Sequence, residues 1–373
     1  MQAGHGGAPV IRVWAPGRIN LIGEHTDYSG GLALSAAIDL GITIEARPLP
    51  SEIRLTSAAF GEAVHFAADG SGAGVEGWGR LGQAAAAELA ALGRPPVGLE
   101  AHVSSTLPAG AGLSSSAALE IGIALGLCAV ASFELGLVEL AQACRRAEAR
   151  ALGVPCGILD QAASLLGRPG HAILLDCRSV EHSYVPVPRD AAWLVVDSGV
   201  DRKLQHSGYA ARRDELNAAL AQLGTDDPRG LTVADLEPLD DVLHRRLRHV
   251  ITENERVVRF VGALDEHDLP AAGRLISESH ASLRDDYEVS SRELDETVEE
   301  VEAQGALGAR MLGGGFGGSV LALFEAAHVA AAAAVIASRG GARRAPMVVR
   351  PSAGAQVEPA RLDASERRSG QGA

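Results

Sequence analysis

Residues 17–28 read GRINLIGEHTDY, and few folds can accommodate them. The stretch begins as a buried strand would. It ends with Arg18, Asn20, Glu24, His25, Asp27 and Tyr28 crowded around Gly23. Two carboxylates, a guanidinium and an imidazole this close together are costly to bury unless they meet each other or a ligand. The chain therefore has to supply partners for these groups or a molecule that satisfies them.

At 373 residues the chain is too long for one ordinary core, so two domains are expected. Its 47% hydrophobic and 21% charged content is that of a globular protein. A formal charge of −14 argues against nucleic acid or an anionic membrane as the main partner. Any phosphate ligand must then be held by local dipoles and a metal. Lys203 is the sole lysine, which excludes a phosphate loop ending in Gly-Lys-Ser/Thr and leaves one candidate for Schiff-base chemistry. Cys128, Cys144, Cys156 and Cys177 form no C-x-x-C pair and read as free thiols of a reducing compartment. The first residues, MQAGHGGAPVIRVWAPG, carry no apolar signal core. The longest uncharged apolar run, Ile121 to Phe133, is shorter than the ~20 residues of a bilayer span. A soluble, cytoplasmic protein is expected.

The first half reads as strands with short turns: VIRVWA, LALSAAI, GITIEAR, SEIRLTS and GLEAHVSS, each bounded by Gly, Pro or Ser. A glycine-rich loop then runs into an apolar helix, followed by helices near 137–151 and 157–166 and a strand pair, HAILLDC and EHSYVPVP. Pro186 and Pro188 mark a boundary near 188, giving domains 1–188 and 189–373. The second half reads as helices over about 209–223, 245–264, a stretch ending near 280, and 291–304. It closes with strand, glycine loop, strand, an Ala-rich helix and RAPMVVR, and the residues from about 354 read as a frayed tail. Strands and helices in separate runs indicate an α+β fold rather than a doubly wound sheet.

Three constellations carry chemistry. In LPAGAGLSSSAALE, residues 107–120, Gly110 and Gly112 permit positive φ, and Ser114 is placed to cap the helix that follows. Successive backbone N–H groups and a helix N-terminus bind polyphosphate without a lysine, and the serine hydroxyls can reach phosphate or Mg²⁺. A flexible turn before a core helix is the plainer alternative. In GARMLGGGFGGSVLAL, residues 308–323, the glycines exceed what a hairpin needs and suggest close approach to a ligand or a bulged loop against a neighbouring helix. In RRAEARALGVPCGILDQAASLLG, residues 145–167, Asp160 falls in the first turn of a helix, where the dipole favours negative charge. Beside an arginine it can serve as a general base or an electrostatic anchor, and a surface or capping Asp is the alternative. No H-E-x-x-H, zinc-spaced Cys/His cluster or G-x-S-x-G elbow is present.

Taken in order, PGRINLIGEHTDYSGG, LPAGAGLSSSAALE, PCGILDQ and GARMLGGGFGGSVLAL resemble the motifs of the GHMP kinases, and the first resembles the galactokinase signature within that superfamily. The resemblance runs from about residue 12 to 350. It implies a two-domain α+β fold with the active site in the cleft between domains. It also implies ATP with Mg²⁺ and phosphorylation of the anomeric hydroxyl of α-D-galactose. By position, Asp160 matches the catalytic aspartate and Arg18 the arginine beside it. Glu24, His25, Asp27, Gly157 and Tyr209 match sugar contacts. Gly110, Ala111, Gly112, Leu113, Ser114, Ser115 and Ser116 match the nucleotide loop, and Trp78 matches a tryptophan near adenine. Ser116 and Glu148 match the Mg²⁺-linked pair, with Ser115 adjacent to share that role. Relatives of this kind are often monomers. Leu312 stands where the family commonly has threonine, which removes a hydroxyl near the phosphates. The intact GEHTDY favours galactose over N-acetylgalactosamine, arabinose, galacturonate, mevalonate or homoserine as acceptor. The complete SSSAA run favours an enzyme over a sugar sensor.

Overall fold

β1 (Ile11–Ile22) and β2 (Leu32–Leu49) pair antiparallel and form the spine of the first of two sheets. The structure, a computed structural model, describes residues 10–108, 110–153, 156–200, 205–340 and 345–358. From Ala15 onward β1 is buried on both faces, which is why its apolar run does not alternate cleanly. β2 is one long strand where the sequence suggests two. Gly41 permits this, because a Cβ there would meet Ala15 O at 2.6 Å and the Trp14 ring at 2.7 Å. The two strands cross in close contact at that point, and their register shifts between Pro16 and Arg18.

A hairpin of β3 (Glu52–Ser57) and β4 (Gly61–Ala67) leads into α1 (Gly79–Ala91) and then β5 (Gly98–Ser105). Because a helix intervenes, β5 can lie parallel to β3 while pairing antiparallel with β2. β4 and α1 are not anticipated from the sequence. α2 (Ser115–Val130), α3 (Leu137–Leu152) and α4 (Leu159–Leu166) follow, with α2 packed on β1 and β2. β6 (His171–Asp176) and β7 (His182–Pro186) then extend this sheet from the first half of β2.

The second sheet begins at β8 (Ala191–Asp197), after which come α5 (Gln205–Gln222), α6 (Asp241–Asp265), α7 (Leu269–Asp285) and α8 (Arg292–Ala303). β9 (Gly308–Leu312), β10 (Ser319–Glu325), α9 (Ala326–Gly340), β11 (Met347–Val349) and β12 (Gln356–Glu358) complete the chain's described elements. The strand order in this sheet is β11-β8-β10-β9. Its two faces serve different cores. Trp193, Val195, Leu321 and Leu323 join the core of the first sheet, whereas Leu194, Val196, Val320 and Phe324 pack with α5, α8 and α9. Burial on both faces explains the unbroken apolar run AAWLVV.

The expected frayed tail does not begin at 354. Residues 356–358 form β12 and pair with Trp14, Val13 and Arg12 on the open edge of β1, covering backbone groups that would otherwise be exposed. The rest of that expected tail lies outside the described residues, as does Lys203. Among the described residues no helix is long and apolar enough to cross a membrane.

Candidate active site

The end of β1, the N-termini of α2 and α4, α5 and the β9–β10 loop enclose a cleft of about 680 Å³. It is lined by Arg18, Glu24, His25, Asp27, Trp78, Gly110, Gly112, Ser114, Ser115, Ser116, Glu148, Gly157, Asp160 and Tyr209. All of these were singled out from the sequence. Ala111 and Leu113, also assigned to the nucleotide loop, are different. Their side chains are buried in the core, and only their backbone remains for a ligand. The alternation is physical: the loop needs apolar anchors between its cleft-facing residues. Trp78 donates its indole N–H to Glu62 O at 3.0 Å and stacks on Phe60, which fixes its ring at the cleft wall.

Asp160, in the first turn of α4, is held on both oxygens. Arg18 donates Nε to Oδ1 at 2.8 Å and brings Nη2 within 2.7 Å of the same atom. Ser114 donates its hydroxyl to Oδ2 at 2.5 Å. Arg18 also donates Nη1 to Gly112 O at 2.6 Å, tying the Arg18–Asp160 pair to the glycine loop. The expectation that Ser114 caps α2 is not met. Its φ of 56° places it in the left-handed region, and its side chain makes no capping bond because it is spent on Asp160. The first N–H groups of α2 are therefore left without a side-chain acceptor.

Opposite lie the three polar residues of the signature. Glu24 accepts at Oε1 from Arg310 Nη1 at 3.0 Å and from Gly313 N at 2.7 Å. Burial pushes its carboxyl up, but Arg310 and then Arg18 outweigh that and hold it below the usual range. His25 has φ 62°, a strained value of the kind that recurs at functional sites. Burial holds its ring neutral, with a pKa pulled down to about 3. Its Nδ1 lies 3.0 Å from Tyr28 OH, which in turn lies 2.6 Å from Tyr287 OH. Asp27 is pushed up to about 7, by burial first and then by Asp160 and Glu24. Gly157 is required beside it, since a Cβ there would fall 1.6 Å from Asp27 Oδ2. Tyr209 packs against both His25 and Tyr28.

Behind the serines, Gln161 donates to Glu148 Oε2 at 2.9 Å and reaches toward Glu120 Oε2 at 3.5 Å. Burial, then Asp160, pushes the Glu148 carboxyl up from its ordinary value. Among the described residues no three His, Cys, Asp or Glu side chains are grouped to hold a metal.

The model of the GHMP kinases N terminal domain matches residues 80–168, and that of the GHMP kinases C terminal matches 260–342. The galactokinase galactose-binding signature matches residues 3–48. A galactokinase of Streptomyces coelicolor is 40% identical over 367 residues, covering 94% of this chain and 95% of that protein. The chain belongs to the galactokinase family of the GHMP kinases. A galactokinase of Thermococcus kodakarensis is 41% identical over 84% of this chain and 89% of its own length. The solved structure of Lactococcus lactis galactokinase complexed with galactose superposes with a TM-score of 0.87, at 33% identity, over 93% of this chain and 95% of that one. A mevalonate kinase of Methanococcus jannaschii, with a TM-score of 0.66 at 20% identity, shares the fold.

Within this family member, sequence reasoning missed several residues of the site. Arg213 and Asp214 line the cleft from α5. Arg213 stands four residues beyond Tyr209, so helical spacing puts both on one face. Gly313 and Gly314 line it from the β9–β10 loop, whose glycines suggest close approach to a ligand in the sequence without a site role being assigned to either. Leu312, where threonine is common, is fully buried in the core and does not line the cleft, so its missing hydroxyl takes nothing from the cleft wall.

Proposed function

We propose that the chain transfers the γ-phosphoryl group of ATP to the anomeric hydroxyl of α-D-galactose, giving galactose 1-phosphate and ADP. The observation that carries this reading is the Arg18–Asp160–Ser114 cluster, which shares one cleft with Glu24, His25 and Asp27. Asp160 orients the 1-hydroxyl and takes its proton as the new bond to phosphorus forms. Arg18 fixes Asp160 and offsets charge on the transferring group. Positioning and charge neutralisation supply most of the catalysis in such a transfer. Glu24, His25, Asp27, Gly157 and Tyr209 read the sugar hydroxyls, and a wrong epimer leaves buried polar groups unpaired.

The uncapped α2 N-terminus and Gly110, Gly112, Ser115 and Ser116 suit the triphosphate, and Trp78 suits the base. Glu148 and Ser116 fit Mg²⁺: both face the cleft, and an oxygen-only donor pair leaves room for water and phosphate oxygens. When bound, the ion neutralises the triphosphate. We place the reaction in the cytoplasm, whose reducing conditions suit four cysteines that form no disulfide.

A coupled ADP-release assay across galactose, N-acetylgalactosamine, arabinose, mevalonate and homoserine tests the reading. Galactose is expected to give the highest kcat/KM. Preference for any other acceptor overturns it.

A further inference from the structure

Arg310 is the largest charged side chain fully buried in the described structure, yet it does not line the cleft. It stands on β9, in the second sheet, and points into the end of β1. Its guanidinium donates Nε to Leu21 O at 3.1 Å, Nη1 to Met311 O at 2.8 Å and to Glu24 Oε1 at 3.0 Å, and Nη2 to Asn20 O. The β1 carbonyls it meets lie where pairing with β2 changes register, between Asn20 and Ile22. A fully buried cation is costly, and hydrogen bonds to carbonyls offset only part of that cost. Among the described residues its one ion-pair partner is Glu24.

We propose that Arg310 is a positioning residue for sugar recognition: with the Gly313 N–H it grips Oε1 of Glu24, which fixes Oε2 as an acceptor for a sugar hydroxyl. The glycine loop between β9 and β10, which in sequence suggests close approach to a ligand, serves the sugar side of the cleft through this contact. The proposal rests on the galactose reading above. Around Glu24 stand Arg310 from β9, Arg18 from β1, His25 and Asp27 from the turn after β1, and His249 of α6, whose Nε2 lies 3.1 Å from the Glu24 carbonyl. Burial alone would favour the neutral acid, and Arg310 is the foremost group opposing it.

The test is a double-mutant cycle of Arg310→Gln and Glu24→Gln, read by steady-state kinetics. Each single variant should raise the galactose KM about tenfold or more, the cost of losing a charged hydrogen bond, with ATP KM unchanged. The double variant should be no worse than Glu24→Gln alone, since Arg310 acts through Glu24. Additive effects, or a rise in ATP KM without one in galactose KM, overturn the proposal. A second arm needs no sugar: the ¹³C carboxyl resonance of Glu24, assigned by its loss in Glu24→Gln, is titrated in the free protein. Its pKa should lie below the usual carboxylate range in the wild type and above it in Arg310→Gln, and an unmoved pKa overturns the proposal. If Arg310→Gln does not fold, Arg310→Lys takes its place in the kinetic arm. It keeps the charge but loses the fork, so an intermediate galactose KM is expected and a wild-type value counts against the proposal. Absence of galactose turnover in the wild type defeats the functional reading instead, while the titration still decides the role of Arg310.

Discussion

Asp160 accepts from Arg18 at Oδ1 and from Ser114 at Oδ2, which leaves Oδ2 an acceptor position for a hydroxyl, and this makes its substitution informative. In Asp160→Asn the remaining oxygen can still accept from Arg18, and the Ser114 hydroxyl can turn to accept from the new amide. The local packing therefore survives while the proton acceptor is lost. Turnover should fall by about 10²–10⁴-fold, the usual range for a positioned acid–base group. Galactose binding should stay measurable by calorimetry, and near-normal turnover would remove Asp160 from the chemistry. Asp27 gives a second prediction at this scale. Its pKa of about 7 in the folded chain exceeds the ordinary carboxylate value. Between about pH 4 and 7 the folded chain thus keeps a proton that the unfolded chain has released. The stabilisation from this group is complete below that window and is lost as pH rises through it. Asp27→Asn removes the titration, so its Tm relative to the wild type should climb from pH 5 to pH 8. A Tm difference independent of pH in differential scanning calorimetry contradicts this.

At the scale of elements, the site depends on how closely β9 approaches α7. A Cβ on Gly273 of α7 would lie 2.2 Å from Leu307 O, and one on Gly308 would lie 1.9 Å from Gly273 O. Two glycines let helix and strand backbones touch, and the strand so seated carries Arg310 and Gly313 to Glu24. Gly273→Ala should cost about 1–3 kcal/mol through overpacking. It should also raise the galactose KM, because β9 must shift, and leave the ATP KM alone. Urea unfolding and kinetics on one preparation check both halves. The same element shows why some of the molecule was legible in sequence and some was not. The glycine loop, α2 and β8 announce themselves within a dozen residues, through turn chemistry or an unbroken apolar run. β2 reads as two strands because Gly41 looks like a breaker, and its real purpose appears only once Trp14 packs on it. β12 is three residues, two of them polar, and only its edge position makes it a strand. Arg18 and Asp160 are 142 positions apart, and motif resemblance joined them before the geometry did. The partnership of Arg310 and Glu24 spans 286 positions, and its only local signal is one cation inside the apolar run of a fully buried strand.

Across the whole molecule, the two sheets do not stand apart. Trp193, Val195, Leu321 and Leu323 of the second sheet share a core with Val13, Ile19 and Leu21 of β1. The proposed sugar side of the cleft has the same dual origin. Glu24, His25 and Asp27 come from the turn after β1, whereas Tyr209, Tyr287 and Arg310 come from the second half and bear on them directly. The groups assigned to phosphate, in contrast, all belong to the first half: Arg18, the loop before α2, Glu148 and Asp160. Two consequences follow for unfolding. A shared core of this kind makes the halves melt together, so calorimetry should record one transition for the free protein. Galactose without nucleotide should move that whole transition upward, because its site is assembled from both halves. At 100 times its Kd the sugar adds about 2.7 kcal/mol of stability by mass action. Glu24→Gln should roughly halve the shift at the same sugar concentration, since a tenfold loss of affinity removes about 1.4 kcal/mol. Two separate transitions, with galactose moving only one of them, would show that the halves fold independently and that the sugar is held by a single one.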